Sequence, residues 1–486
     1  MKREMEAPIF EKGSRGRSGI DVACDDGPLP LDATLLRDDL EDFPEVSEPE
    51  VIRHYVRLSQ LNYSVATNFY PLGSCTMKYN PVVNERAAAL PGFAGLHPYA
   101  PEQSAQGALR LLRDLEHWLC EIGGLDAVSL QPAAGAQGEL TGMKVVRAWH
   151  QSQGRPRSKV LIPESAHGTN PASATLSGYD SVSVPCDERG LLSAASVRAL
   201  VDEDVAALML TNPSTLGLFE EDIEEIAAIL HAAGALLYMD GANMNALMGV
   251  AKPGHMGADV LQFNLHKTFS TPHGGGGPGA GPVAVRDFLE KFLPRPRIVE
   301  RAGVLAWDNE CPQSIGKVRS FYGNFGILVR AYAYMLACGG DGLAESTRMA
   351  VLAANYLKAR LEGRYHVAYQ RPCMHEVVLT DKLQSRTGVR TLDIAKRLLD
   401  HGFHAPTIYF PLVVSGALMI EPTESESLET LDSFIEAMTA IAIEAETDPD
   451  KVRDAPHQTL LSRLDETRAA RHPLLTWQGV KSRLAT

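Results

Sequence analysis

A lysine follows a short apolar segment near the middle of this sequence. Lys267 lies in segment 264–268, after the apolar run 260–263 and before a glycine-rich segment, 274–281. A lysine at the end of a buried strand, next to flexible backbone, can form a Schiff base with pyridoxal phosphate and be displaced by substrate. The same pentapeptide also fits ordinary surface residues, so the interpretation depends on the rest of the chain.

Pyridoxal phosphate makes three further demands, and other segments can meet each of them. Its pyridine nitrogen needs a carboxylate, and Asp240 follows an apolar run, although an aspartate there could equally cap a helix. Its phosphate needs free backbone N–H groups, which segment 135–137 offers at a predicted helix start. Its ring needs a flat partner, and His167 qualifies unless it only bonds to its own loop. His266 is either a structural neighbour of Lys267 or a proton carrier.

The elements that must position these residues are short apolar strands alternating with helices. Strands are predicted at 160–162, 206–211, 236–239, 260–263 and 283–285, with a helix at 222–233 among them. Such a pattern indicates a mainly parallel sheet that is covered on both faces. Because ligands bind at the carboxyl edge of such sheets, the topology brings together His167, Thr211, Asp240 and Lys267.

The flanking regions differ in character from this central part. The first hundred residues are rich in proline and predict an arm that wraps a neighbouring surface, with a short helix near 51–62. An amphipathic helix at 103–122 follows and ends at a pair of glycines. After a helix at 346–362 come new strands at 367–369, 377–379 and 418–420 and helices at 392–401 and 428–445. We therefore predict an arm with a site-lining loop at 1–102, a large domain at 103–345, a smaller C-terminal α/β domain at 346–450 and an extension at 451–486.

The amino-acid composition indicates which kinds of binding partner and which cellular compartment to expect. The chain has 486 residues, 45% of them hydrophobic, and a formal net charge of −14, which argues against nucleic acid or an anionic membrane. A local basic patch at 295–319 could bind an acidic protein or simply be a solvated face. Seven scattered cysteines without a Cys-x-x-Cys pair are typical of a reducing compartment. We see no signal peptide or membrane-spanning run, so we expect a cytoplasmic protein.

Six segments together resemble one family, the P-protein (glycine decarboxylase) of the glycine cleavage system. They are 70–81, 131–139, 163–171, 239–243, 264–268 and 420–425. The resemblance covers about residues 8–450, and no family motif is evident beyond it. The chain looks like the lysine-bearing half of the family's long form, which some bacteria and archaea make as a separate subunit.

The resemblance implies a fold, a reaction and partners. The fold would be the PLP-dependent transferase fold of the aspartate aminotransferase type (fold type I), with a large, mainly parallel-sheet domain and a smaller C-terminal α/β domain. The reaction would be PLP-dependent decarboxylation of glycine, with transfer of the aminomethyl group to the lipoyl arm of the H-protein and release of CO2. The other half, glycine dehydrogenase subunit 1, would pair with this chain as two of each subunit.

The resulting site assignment has three parts. The predicted catalytic residues are Lys267, His167, Asp240 and His266. The predicted cofactor-binding residues are Gly135, Ala136, Gln137, His167, Thr169, Thr211, Asp240, Ala242, Asn243, His266 and Lys267. The predicted substrate-site loop contains Thr67, Asn68, Ser74 and Cys75, and no metal ligand is predicted.

Three other kinds of protein share some of these features. Another enzyme of the same fold, such as an aminotransferase or a cysteine desulfurase, would usually hold the substrate carboxylate with an arginine, and segment 407–421 has none. A non-catalytic scaffold subunit would have no need of both Lys267 and Asp240. A metal hydrolase using His255, His266 and His273 lacks close His-x-x-x-His spacing and an accompanying carboxylate.

Overall fold

The computed structural model describes residues 5–20, 27, 31–36, 43–273 and 279–484. The chain divides into two units, one formed by residues 1–67 and 456–486 and the other by residues 68–455. Most of the glycine-rich segment after Lys267 lies outside the described residues, at 274–278. The four-part division predicted from the sequence stays a prediction.

The strands and helices are as follows. The strands are β1 (Ala127–Ser129), β2 (Lys159–Pro163), β3 (Asp180–Val184), β4 (Val205–Thr211), β5 (Leu236–Gly241), β6 (Val260–Phe263), β7 (Val283–Val285), β8 (Arg297–Arg301), β9 (Val304–Asp308), β10 (His366–Val367), β11 (Val377–Thr380), β12 (Thr407–Ile408) and β13 (Ala417–Ile420). The α-helices are α1 (Glu48–Ser59), α2 (Val82–Ala88), α3 (Pro91–Ala94), α4 (Gln106–Gly123), α5 (Gly135–Ser152), α6 (Thr169–Leu176), α7 (Ala194–Leu200), α8 (Ile223–Ala232), α9 (Leu265–Thr268), α10 (Asp287–Glu290), α11 (Phe325–Leu361), α12 (Thr391–Asp400), α13 (Leu428–Thr447), α14 (Pro449–Arg453), α15 (Glu466–Arg471) and α16 (Trp477–Leu484).

The larger unit is built on a seven-stranded sheet in the order β1-β7-β6-β5-β4-β2-β3. Strands β3, β2, β4, β5 and β6 pair in parallel, and β7 runs antiparallel to its neighbours β6 and β1. Every residue of β4, β5 and β6 is buried, as continuously apolar strands covered on both faces should be. The predicted mainly parallel sheet is confirmed.

Helices cover both faces of this sheet with the apolar sides that their periodicity predicts. Helix α8 buries Ile223, Ile226, Ala227 and Leu230, spaced three and four residues apart. Helix α4 buries Leu109, Leu112, Leu115 and Leu119 in the same way. It ends where Gly124 adopts a left-handed conformation at φ 68°, which glycine takes without steric cost.

A second, four-stranded antiparallel sheet, β10-β11-β13-β12, forms the smaller C-terminal part of the same unit. Helices α12 and α13 lie within one or two residues of their predicted bounds. The predicted start of the connecting helix at 346 was wrong, because α11 already begins at Phe325 and runs to Leu361. Its helical geometry is interrupted at Gly339 (φ 62°, ψ 177°), which divides the apolar pattern into two stretches.

The other unit contains α1 together with α15 and α16. Within it, the side chain of Glu50 accepts a hydrogen bond from the Ser47 N–H at 2.9 Å, which closes the first turn of α1. In the part of the chain that the structure describes, no helix has the length and apolar character needed to cross a bilayer.

Candidate active site

Lys267 lies just beyond the carboxyl end of β6. The strand is buried, and the single helical turn α9 follows it, so the lysine is carried by a short, rigid element. Its side chain is half-buried, and Nζ donates a hydrogen bond to the Ser74 carbonyl at 2.8 Å. The amine therefore faces the segment around Ser74, which is distant in sequence and part of the same unit.

Asp240 lies at the end of β5, the strand next to β6. The parallel register aligns it with Thr211 on β4 and Gln262 on β6. Its carboxylate is 2% exposed and accepts hydrogen bonds from Asn170 Nδ2 at 3.1 Å and from the Ala242 N–H at 2.9 Å. These two donors fix the carboxylate at the sheet edge where Lys267 also lies.

The Thr211 hydroxyl beside Asp240 is a buried polar group without a hydrogen-bond partner among the described residues. Thr211 is 6% exposed. Asn243, by contrast, uses its side-chain amide within the protein, donating to the Pro213 carbonyl at 2.9 Å. A buried hydroxyl without a partner is costly, so Thr211 fits a ligand atom better than a purely structural role.

The start of α5 is pressed against the end of β6. A Cβ on Gly135 would lie 2.3 Å from Asn264 Oδ1, and one on Gly281 would lie 2.1 Å from the Ala134 carbonyl oxygen. Only glycine permits this approach. The first backbone N–H groups of the helix, at 135–137, have no carbonyl one turn earlier, so they are free to bind an anion.

The two remaining predicted residues of this helix start differ in how they are used. Ala136 is exposed and offers only its backbone. The Gln137 side chain is occupied, since Oε1 accepts from the Ala133 N–H at 2.7 Å and Nε2 donates to the Val318 carbonyl at 2.8 Å. Gln137 therefore shapes the loop and leaves its backbone N–H for a ligand.

His167 is oriented by a chain of hydrogen bonds that ends at a buried glutamate. Its Nδ1 lies 2.9 Å from the Thr169 hydroxyl, which in turn donates to Glu139 Oε1 at 2.8 Å. Ser173 donates to the other oxygen of Glu139 at 3.1 Å. Burial and the nearby Asp240 charge raise the pKa of Glu139 to about 7. Glu139 was not among the predicted site residues, although it ends the small-residue motif 131–139.

His266 lies in a group of neutral rings next to the lysine. Its Nδ1 accepts a hydrogen bond from the Ala280 N–H at 3.4 Å, and its ring is 5.0 Å from that of His273. Burial, with His273 and Lys267 adding to it, lowers the pKa of His266 to about 3. An imidazole that stays neutral so far below pH 7 is better suited to packing than to carrying protons.

The predicted substrate-site loop is only partly brought to this place. Ser74 and Cys75 lie beside Lys267, and Cys75 Sγ is 3.4 Å from His273 Nδ1. Asn68 is exposed at the beginning of the same unit, and Thr67 belongs to the other unit, where its hydroxyl lies 3.1 Å from that of Ser64. Burial raises the pKa of the Cys75 thiol above its ordinary value, so the thiol is protonated at neutral pH.

Segment 71–76 is held in place by the small sheet. Leu72 forms a bridge to Ile420 of β13, and the Gly73 carbonyl accepts a hydrogen bond from the Thr407 hydroxyl at 2.7 Å. Ser74 has a φ of 62°, a conformation that is uncommon for a residue with a side chain and that is often found at functional sites. Through this segment the small sheet contributes directly to the surroundings of Lys267.

Three further ionisable residues of the small sheet, His375, Glu376 and Glu421, were not predicted. All are 0% exposed: burial lowers the pKa of His375 and raises those of Glu376 and Glu421, and the charge of Lys267 acts on all three. The available signal was weak: Glu376 directly precedes the apolar run of β11, and Glu421 directly follows that of β13. A charged residue at the end of an apolar strand is common, so only the strand pairing reveals that the three meet.

Comparisons with known proteins identify the family. A family model described as glycine cleavage system P-protein matches residues 29–303, and one described as the C-terminal domain of glycine dehydrogenase matches residues 346–462. A probable glycine dehydrogenase (decarboxylating) subunit 2 from Caldanaerobacter subterraneus subsp. tengcongensis is 54% identical over 483 residues, covering 98% of this chain and 100% of the relative. The protein of the same name from Listeria innocua is 55% identical over 476 residues, covering 97% of this chain and 98% of the relative.

Solved structures agree on the fold. A crystal structure of glycine decarboxylase (P-protein) of the glycine cleavage system, in inhibitor-bound form, aligns with a TM-score of 0.71 at 22% identity, covering 84% of this chain and 93% of that chain. Aspartate aminotransferase from Thermus thermophilus aligns with a TM-score of 0.58 at 14% identity, covering 77% and 99%. The predicted aspartate-aminotransferase-like fold, fold type I, is confirmed. The chain belongs to the P-protein family of the glycine cleavage system and, within it, to the subunit 2 group of glycine dehydrogenase (decarboxylating).

Proposed function

We propose that this chain is the cofactor-bearing subunit of a glycine decarboxylase. It would release CO2 from glycine and transfer the aminomethyl group to the lipoyl arm of the H-protein. The observation that carries the proposal is the position of Lys267 and Asp240 at the ends of adjacent strands. They lie there in a chain that belongs to the P-protein family and that a relative matches over 98% of its length. A scaffold subunit would not need this arrangement.

Family membership implies pyridoxal phosphate, and the residues at the sheet edge fit it. Lys267 would bind the aldehyde and Asp240 the pyridine nitrogen, while the N–H groups of 135–137 would bind the phosphate and His167 would stack on the ring. The unpartnered Thr211 hydroxyl next to Asp240 supplies a donor that nothing else among the described residues uses. When bound, pyridoxal phosphate supplies an electron sink for the carbon next to the substrate amine.

The chain's own residues then have separate tasks. Asn170 and the Ala242 N–H hold the Asp240 carboxylate, whose negative charge would favour a protonated ring nitrogen on the cofactor. The chain Glu139–Thr169–His167 holds the imidazole in one orientation. Lys267 would hold or release a proton at Nζ.

The lack of an arginine fits a carboxylate that must leave. Segment 407–421 contains none, and the charge of Lys267 acts on three buried ionisable groups that flank the strands of the small sheet, His375, Glu376 and Glu421. A bidentate arginine would stabilise the bound carboxylate and so oppose its conversion to neutral CO2. This observation favours decarboxylation over aminotransfer or desulfuration.

The name of the relatives, subunit 2, implies a subunit 1 partner. We further propose that the enzyme contains two of each subunit, acts on lipoylated H-protein and is cytoplasmic. The acceptor is then a protein-bound disulfide, so glycine alone supports no net turnover.

The test is the exchange of labelled bicarbonate into glycine, measured with each component left out in turn. We expect exchange only when this chain, subunit 1, pyridoxal phosphate and lipoylated H-protein are all present. An isolated chain that matches the complete mixture would contradict the two-subunit function. A complete mixture that is inert in exchange but transfers amino groups to 2-oxo acids would establish the aminotransferase alternative instead.

A further inference from the structure

Two buried glutamates meet at the end of the small sheet. The register pairs Val377 with Ile420, and continuing it by one residue places Glu376 opposite Glu421. One carboxylate oxygen of each, together with a ring nitrogen of His375, lies within 4.8 Å of the others. Since all three side chains are 0% exposed, bulk water does not screen them from one another.

Segment 74–76 joins this pair to the lysine. The Ser74 N–H donates to Glu376 Oε2 at 2.7 Å, and the Thr76 hydroxyl donates to Glu421 Oε1 at 2.5 Å. The carbonyl of the same Ser74 accepts the hydrogen bond from Lys267 Nζ. The amine and both carboxyl groups are thus hydrogen-bonded to two residues of one short segment, Ser74 and Thr76.

One carboxylate oxygen of each glutamate makes no hydrogen bond to the described residues. These two atoms are Glu376 Oε1 and Glu421 Oε2. The two ring nitrogens of His375 have no hydrogen-bond partner there either. Two carboxylates this close in a dry site do not both ionise, because their repulsion is unscreened, so the pair keeps one proton. Burial raises the pKa of Glu376 to about 7, and burial together with Glu376 raises that of Glu421 well above its ordinary value.

The other ionisable groups nearby do not compete for this proton near neutral pH. Burial lowers the pKa of His375 and of His266 to about 3, with the charge of Lys267 acting in the same direction, and it also lowers those of His167 and His273. Burial raises the pKa of the Cys75 thiol. Glu424, which adds negative charge near Glu421, is neutralised by an ion pair with Lys78 at 2.7 Å.

We propose that Glu376 and Glu421 share a proton and form an acid/base pair for the amine of Lys267. In the forward transfer an N–H bond of the ammonium breaks, its electron pair stays on nitrogen, and an O–H bond forms on the carboxyl pair. The reverse transfer restores the ammonium, and no oxidation or reduction occurs. This deepens the proposed function, on which it rests in taking Lys267 as the reacting amine. A buried acid that titrates near the working pH is well matched to such repeated transfers.

Infrared spectroscopy of the full-length chain, without substrate, tests the shared proton. At neutral pH we expect the difference spectrum, wild type minus Glu421→Gln, to show the C=O stretching band of a buried, protonated carboxyl, while other buried carboxyls such as Glu139 cancel in the difference. In that variant Glu376 should ionise about one pH unit lower or more, because its like-charged neighbour is gone. Glu436→Gln, which alters an exposed carboxylate on α13, should leave the band unchanged. A difference spectrum without the band, or a Glu376 ionisation that does not shift, would overturn the proposal.

A second measurement tests the link to the lysine. Acylation of Lys267 by acetic anhydride, relative to the surface Lys252, is followed by mass spectrometry against pH in chain prepared without pyridoxal phosphate. In the double variant Glu376→Gln/Glu421→Gln, the ammonium of Lys267 loses a nearby negative charge and releases its proton more readily. Because only the neutral amine is acylated, labelling of Lys267 at a given pH should become about tenfold faster. An unchanged profile would mean that the pair does not serve the lysine. Neither measurement involves glycine, so both remain valid tests if the chain proves not to decarboxylate glycine. If the double variant does not fold, the infrared spectrum of Glu421→Gln still tests whether the pair shares a proton.

Discussion

The side chains around Lys267 that can gain or lose a proton are mostly held in neutral forms. Burial lowers the pKa of His266 and of His375 to about 3, and it raises that of the Cys75 thiol. The Asp240 carboxylate one strand away and the Glu376–Glu421 pair, which shares one proton in our proposal, therefore have few charged neighbours among the described residues. Such a dry, sparsely charged site makes each remaining charge more effective than it would be in water.

At the scale of single residues, Lys267 is the position on which the cofactor depends. We expect Lys267→Ala to lose both the visible absorbance of bound pyridoxal phosphate and the lysine label that borohydride reduction fixes, together with bicarbonate exchange. The reason is that no other amine among the described residues lies at this sheet edge in contact with Ser74. Lys252→Ala removes a surface ion pair with Glu121 and should leave both signals intact. A fully active Lys267→Ala enzyme would rule the assignment out.

Asp240 is tested by a change that removes charge and keeps shape. An amide cannot hold the pyridine proton by its charge, so Asp240→Asn should lower bicarbonate exchange by ~10³ or more while cofactor absorbance persists. The exposed Asp341→Asn is the matched control and should exchange normally. Near-normal turnover of Asp240→Asn would show that another group pairs with the ring nitrogen.

At the scale of elements, the site depends on how closely the start of α5 approaches the end of β6. In Gly135→Ala the new methyl group would lie 2.3 Å from Asn264 Oδ1, so the helix start or the segment before Lys267 must shift. Overpacking of this kind destabilises the fold by about 1–3 kcal/mol. Because the shift also displaces the N–H groups at 135–137, we expect a loss of about 1.4 kcal/mol in binding free energy, which is tenfold weaker cofactor binding.

The measurement is a titration with pyridoxal phosphate, with circular dichroism to verify the fold. Gly107→Ala in α4 has open space around the new methyl group and should bind the cofactor as the wild type does. Equal affinity of both variants would show that the contact between α5 and β6 does not shape the phosphate site.

Local patterns in the sequence predicted the strands that carry Lys267 and Asp240, because a continuously apolar strand in a covered parallel sheet has a clear signature. The meeting of Glu376 and Glu421 could not be predicted in this way. It depends on the register of β11 against β13, which tertiary packing decides and no local period records. The start of α11 was missed for a related reason, since a glycine break at 339 divides its apolar pattern.

At the scale of the whole molecule, the unit formed by the two chain ends presents an uncovered apolar stripe. On α1, Ile52, Tyr55 and Val56 are 57%, 56% and 47% exposed, and their spacing places them on one side of the helix. Grouped apolar side chains in contact with water usually mark an interface. Because the relatives are named as one of two subunits, we expect subunit 1 to cover this stripe.

Hydrogen exchange followed by mass spectrometry can locate that contact. Adding subunit 1 should slow amide exchange in α1 about tenfold or more, because an obligate interface commonly buries more than ~2,000 Å² and suppresses local opening. Helix α12, whose apolar side chains Ile394 and Leu398 are already buried within this chain, should exchange at the same rate with and without the partner.

Ile52→Asp should weaken assembly while leaving the spectrum of bound pyridoxal phosphate unchanged, since α1 belongs to a different unit from Lys267. If the complex forms and exchange in α1 does not change, another surface binds subunit 1 and the predicted wrapping arm is wrong.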